Sequence, residues 1–169
     1  MRLNNLFFLT LLTLVLSTST WAQTVDQGAF MAGGNIFFTS EKFENDDKAS
    51  TVFSVAPSIG FYVIDDLAVG LNLNFTSISR DGESNSSTSL APFVRYYVVN
   101  PIFLEAQYGF SLNEGGDSFF AAGAGYSWFI SQNVAVEPQV FFRSTNSDTD
   151  GFDRTSFGLS VGIQTFIGR

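Results

Sequence analysis

The strongest constraint on this chain is a two-residue rhythm that begins near residue 29 and continues to its end. Between Val55 and Phe75 the positions Val55, Pro57, Ile59, Phe61 and Val63, then Leu67, Val69, Leu71, Leu73 and Phe75, are apolar. The intervening positions carry Ala56, Ser58, Gly60, Tyr62, Ala68, Gly70, Asn72 and Asn74. Side chains alternate faces along a β-strand, so this stretch reads as a hairpin with one greasy face and one small or polar face. A tight turn centred on Asp65 sets Phe61 opposite Val69 and Ser58 opposite Asn72, and the two strands then agree on which face is which.

The rhythm predicts strands near 29–40, 50–63, 67–80, 88–98, 102–112, 119–130, 134–145 and 155–167. Short connections around Asp65, Asn100 and Gln132 alternate with longer polar ones at 41–49, 81–87, 113–118 and 146–154. VAPSIGFYVIDDLAVGL (55–71) aligns without gaps on LAPFVRYYVVNPIFLEA (90–106), which argues for a meander of equivalent hairpins rather than Greek-key crossings. The expected fold is all-β, an eight-stranded antiparallel up-and-down transmembrane β-barrel. Pro57, Pro92 and Pro138 fall in mid-strand on the outward face. A closed barrel has no edge on which to hide a missing N–H, so local bulges are expected there.

Alternation alone does not separate a soluble lipocalin-like barrel from a membrane barrel, but the polar face does. A face in water should carry many charges. Here the 8 basic and 16 acidic residues lie mostly in loops, turns and strand ends. On the polar face within strands they are Arg95, Glu105, Glu137 and Arg143. That face suits a narrow packed interior, so the continuously apolar face is the exterior and calls for hydrocarbon. The strands are long enough to cross a bilayer at a tilt, which takes about 9–11 residues. Phe61, Tyr96, Phe75, Tyr108, Trp128 and Phe142 stand where interfacial aromatic girdles would lie.

The first 22 residues read as an address. Arg2 precedes the apolar run 6–16 (LFFLTLLTLVL), then a polar stretch, then Ala22 as the residue before cleavage. This is the layout of a secretory signal peptide, and the run falls short of the roughly 20 residues of a spanning helix. Residues 23–169 form the barrel domain.

The segments PSIGFYVIDDLAVGLNLNF and AGAGYSWFISQNVAVEPQVFF resemble the recurring hairpins of the small bacterial outer-membrane β-barrel family, the OmpA/OmpX-like barrels also labelled porin-family proteins. The resemblance covers the whole mature chain and specifies architecture rather than activity. It implies residence in the outer membrane of a Gram-negative cell envelope, with long loops outside and both termini periplasmic. The implied partners are outer-membrane lipids, lipopolysaccharide and the barrel assembly machinery. One departure is the ending Phe166-Ile167-Gly168-Arg169, where family members commonly end on an aromatic residue.

Chemistry is sparse. There is no histidine and no cysteine, which removes the usual players in acid/base, triad, thiolate and zinc chemistry. No catalytic residue and no cofactor are expected, and a lipid-modifying outer-membrane enzyme is disfavoured for want of a histidine. The net charge of −8 argues against nucleic acid. Inside the barrel, Arg95 and Glu105 lie equally far from the turn at Asn100, and Glu137 lies as far from Gln132. These three are expected to form a buried cluster, with Gln107 and Gln139 above it, closing a lumen that eight strands make just wide enough for side chains to fill. Asp148, Asp150 and Asp153 form a weak divalent-cation candidate. It lacks the distal glutamate of a calcium loop, and an acidic hairpin loop is the preferred reading. The expected role is structural or surface-interacting, as a monomer whose acidic loops meet a host or environmental surface. The alternative is a narrow pore.

Overall fold

A computed structural model describes residues 25–42, 49–80, 83–113, 116–146 and 154–168. The leader and the acidic candidates Asp148, Asp150 and Asp153 lie outside the described residues. The elements are β1 (Phe30–Lys42), β2 (Ala49–Ile64), β3 (Leu67–Arg80), β4 (Glu83–Val99), β5 (Ile102–Ser111), β6 (Ser118–Tyr126), β7 (Trp128–Phe129), β8 (Val134–Asn146) and β9 (Arg154–Ile167). Each pairs antiparallel with its neighbours, β6 pairs with β8, and β1 pairs with β9, so the sheet closes on itself. The result is a closed, antiparallel, eight-walled barrel in which β6 and β7 share one wall, with no helix among the described residues.

The expected register is observed. Phe61 faces Val69, Ser58 faces Asn72, and Arg95 faces Glu105. The faces follow: Leu71, Val94 and Val161 point outward and are 42%, 48% and 53% exposed, while Asn72 and Arg95 are buried inside. On β3 the apolar outward run from Leu67 to Phe75 gives way to Ser77 and Ser79. Such a nine-residue run covers about 26 Å along a strand, or about 20 Å across the barrel once tilted.

The predicted bulges at the prolines are absent. Pro57 keeps its pairing with Gly34, Pro92 with Leu71 and Pro138 with Val161. On the other side of each proline the ladder lapses for a pair or two and resumes in the same register: from Val55–Phe75 to Ser58–Asn72, from Leu90–Phe110 to Phe93–Gln107, and from Gly125–Gln139 to Trp128–Val136. A missing N–H removes bonds to one neighbour without requiring an extra residue. The third lapse also explains why the predicted continuous strand 119–130 is split at Ser127, diagonally across from Pro138. The register shifts lie instead beside the short turns, between Tyr62 and Ile64 and between Tyr97 and Val99.

A second correction concerns 81–87, read as a loop. Residues 83–87 continue β4 and pair with 76–80, down to Arg80 opposite Glu83. Both arms of this hairpin are rich in Ser, Thr and Asn, so no change in hydropathy marks the strand, yet the backbone ladder holds. Ser79 and Ser84 place their hydroxyls 2.9 Å apart across it.

Candidate functional site

The lumen has two unlike halves. At the short-turn end, inward positions near the turns carry Tyr62 and Ala68, Tyr97 and Phe103, and Phe129 and Ala135, each a cross-strand pair. With Met31, Phe93 and Phe166 they form one packed layer. Ring centroids stand 6.5 Å apart for Tyr62–Tyr97, 5.8 Å for Tyr97–Phe103 and 5.4 Å for Phe129–Phe166. Glycines make room for the rings: a Cβ at Gly70 would strike Phe93, and one at Gly125 would strike Phe103. The segment before β1 closes this mouth. Val25 is fully buried, its carbonyl accepts from Asp66 N at 3.0 Å, and Gln27 N donates to Asp65 Oδ1 at 2.8 Å. Asp66 adopts the left-handed conformation in this turn, with φ of 64°.

Above that layer lies the ion cluster. Arg95 Nε and Nη2 donate to Glu105 Oε2 at 2.9 and 2.7 Å, and Nη1 donates to Glu137 Oε2 at 2.7 Å. The guanidinium lies 4.0 Å from the centre of the Phe103 ring. Glu137 Oε1 accepts from Ser127 Oγ at 2.6 Å, and that hydroxyl is 2.7 Å from Tyr97 OH. Arg95 and Glu137 are each 1% exposed. Charges removed from water this far must be paired and hydrogen-bonded to persist. The structure thus brings together Arg95, Glu105 and Glu137, and adds Ser127 and Tyr97, which the sequence reading did not single out. Gln107 and Gln139 are not part of the ion cluster. Gln107 Oε1 accepts from Asn72 Nδ2 at 2.9 Å, and Gln139 Oε1 accepts from Ser160 Oγ at 3.5 Å.

The expectation of a lumen filled throughout is corrected in the half toward the long loops. Here a cavity of about 920 Å³ extends from Glu105 and Gln107 to Ser86, Ser87, Asn113 and Asp117. The reason is residue size: Ser54, Ala56, Asn72, Ala121, Gly123, Gly158 and Ser160 line it and cannot span the bore. Arg143, the remaining inward charge, also lines this cavity. Its guanidinium stacks over Phe119 at 4.2 Å and faces no carboxylate among the described residues. No group of three or more metal-ligating side chains occurs among the described residues.

No protein-family model matches the chain, and no curated protein matches it. Among solved structures it is similar to a designed transmembrane β-barrel, with a TM-score of 0.49 and 13% identity over 86% of this chain and 100% of that one. It is also similar to the outer membrane protein AlkL, solved by solid-state NMR in DMPC lipid bilayers, with a TM-score of 0.42 and 8% identity over 90% of this chain and 93% of that one.

Proposed function

We propose that the protein is an integral outer-membrane β-barrel that acts as a structural and surface-interacting element rather than as a pore or an enzyme. The observation that carries this reading is the inversion of polarity across one wall. Large apolar side chains cover the outside, while Arg95, Glu105 and Glu137 are buried within. A continuous apolar exterior of this extent is unstable in water and stable in hydrocarbon. The interior supports a sealed barrel: the aromatic layer, the ion cluster and the segment at Val25 lie within the lumen among the described residues. On this reading the barrel is monomeric, is inserted by the barrel assembly machinery, and is held in place by outer-membrane lipid and lipopolysaccharide. The acidic loops then face the exterior, where they meet a host or environmental surface, and both termini face the periplasm.

Trp128 provides the test, since it points outward and is 59% exposed. In a W21F background it is the one tryptophan of the chain. Lipids brominated on their acyl chains should quench its fluorescence strongly in reconstituted vesicles, and unquenched emission would sink the membrane reading. The same vesicles fused to a planar bilayer should show no stable conductance step. Reproducible single-channel openings would favour the pore instead.

A further inference from the structure

The ion cluster accounts for Arg95 but leaves the second lumen cation without a counterpart among the described residues. Arg143 projects from β8 into the cavity; its buried Nε has no hydrogen-bond partner, and neither ion pair found among the described residues involves it. Its neighbours are the rings of Phe119 at 4.2 Å and Phe141 at 5.9 Å. Two carboxylates line the same cavity, but Glu105 is engaged by Arg95 and Asp117 is exposed at the rim. In a chain with twice as many acidic as basic residues, a part-buried guanidinium set apart from the carboxylates among the described residues is a built feature. Stacking on Phe119 covers one flat face of the group and leaves its in-plane N–H donors free, the edge that takes carboxylate or phosphate oxygens as a fork. A second unused donor lines the same space: Asn74 Nδ2 is buried and has no acceptor. Donors without acceptors call for a ligand that accepts only, which is the chemistry of an oxyanion.

We propose that this cavity is a binding site for a small hydrophilic organic anion. Its carboxylate or phosphate group is held by Arg143, and its hydroxyls face the Ser, Thr and Asn wall formed by Ser54, Thr76 and Asn74. The volume lies at the upper end of the about 300–1,000 Å³ usual for small-molecule pockets, so a ligand of sugar size fits with room for water. The base of the cavity is closed by the ion cluster, so the ligand enters and leaves from the loop side and is captured, not passed through. The site depends on the barrel interior alone and would stand or fall separately from the role given to the loops.

The test uses the full chain folded in zwitterionic detergent, with gluconate and glucose 6-phosphate as anionic probes and glucose as the neutral one. Both anions should bind by calorimetry, glucose should not, and R143Q should weaken the anions by about tenfold or more, as losing a charged hydrogen-bond donor does. R143K should fall between the two, keeping the charge but losing the fork. If R143Q does not fold, the guanidinium ¹⁵N resonances of Arg143 in the unaltered protein provide the readout, and they should shift with the anions and stay still with glucose. The proposal is overturned if glucose binds as well as gluconate, if R143Q binds the anions as the parent does, if neither anion binds, or if those resonances do not respond.

Discussion

Two arginines project into one lumen, and their surroundings could hardly differ more. Both stack on a phenylalanine, at 4.0 Å for Arg95 on Phe103 and 4.2 Å for Arg143 on Phe119. Arg95 sits in the packed half with two carboxylates on its N–H edge, whereas Arg143 borders the open cavity with none among the described residues. The wall around each is the same kind of strand with the same inward parity. What differs is the mix of neighbouring inward residues: tyrosine and phenylalanine packed together toward the short turns, but Phe37, Phe119 and Phe141 spaced among serine, alanine and glycine toward the loops. One half of the barrel is therefore organised for cohesion, and the other keeps unused hydrogen-bonding capacity.

Substitution should separate the two halves in a graded way. The largest effect belongs to R95Q, which leaves Glu105 and Glu137 buried without the cation they share. Removing one partner of a buried ion pair costs about 3–5 kcal/mol, read as a lower urea midpoint of the refolded barrel in vesicles. An unchanged midpoint would show that the cluster does not hold the packed half together. Next comes S127A, which takes one donor from Glu137 and one partner from Tyr97. Leaving a buried acceptor short costs about 1–3 kcal/mol, and the same denaturation series would register it. Smallest is R143M, which strands no carboxylate and forfeits mainly the ring contact, worth about 1 kcal/mol or less. Equal losses for R95Q and R143M would erase the distinction between the halves.

Much of this was legible before any coordinates. Equal distance from a turn placed Arg95 opposite Glu105, and the same arithmetic brought Glu137 to their height, because a hairpin register is fixed once its turn is fixed. The aromatic layer obeys the identical rule, since Tyr62, Tyr97 and Phe129 each lie next to a short turn on the inward face. It is readable in hindsight from parity and turn distance together. Other features had no signal to read. The extension of β4 through Glu83 consists of polar residues on both faces, so hydropathy gave no strand there. The closure by Val25 depends on bonds to the backbone of Asp66 and the side chain of Asp65, which no periodicity records. The cavity arises from what small side chains fail to reach, and a face-by-face reading treats serine and glutamine as equally polar while ignoring their different lengths.

The ion trio also tallies the staves of the barrel. Arg95 comes from β4, Glu105 from its neighbour β5, and Glu137 from β8, on the far side of the wall shared by β6 and β7. A ring shut with a stave too many or too few would carry Glu137 out of reach of its guanidinium. A slip of one residue in any of these strands would turn a charge out onto the apolar outer face. Misassembled rings thus bear a stranded charge that the correct closure alone discharges, so the three residues select for the right count as well as the right alignment.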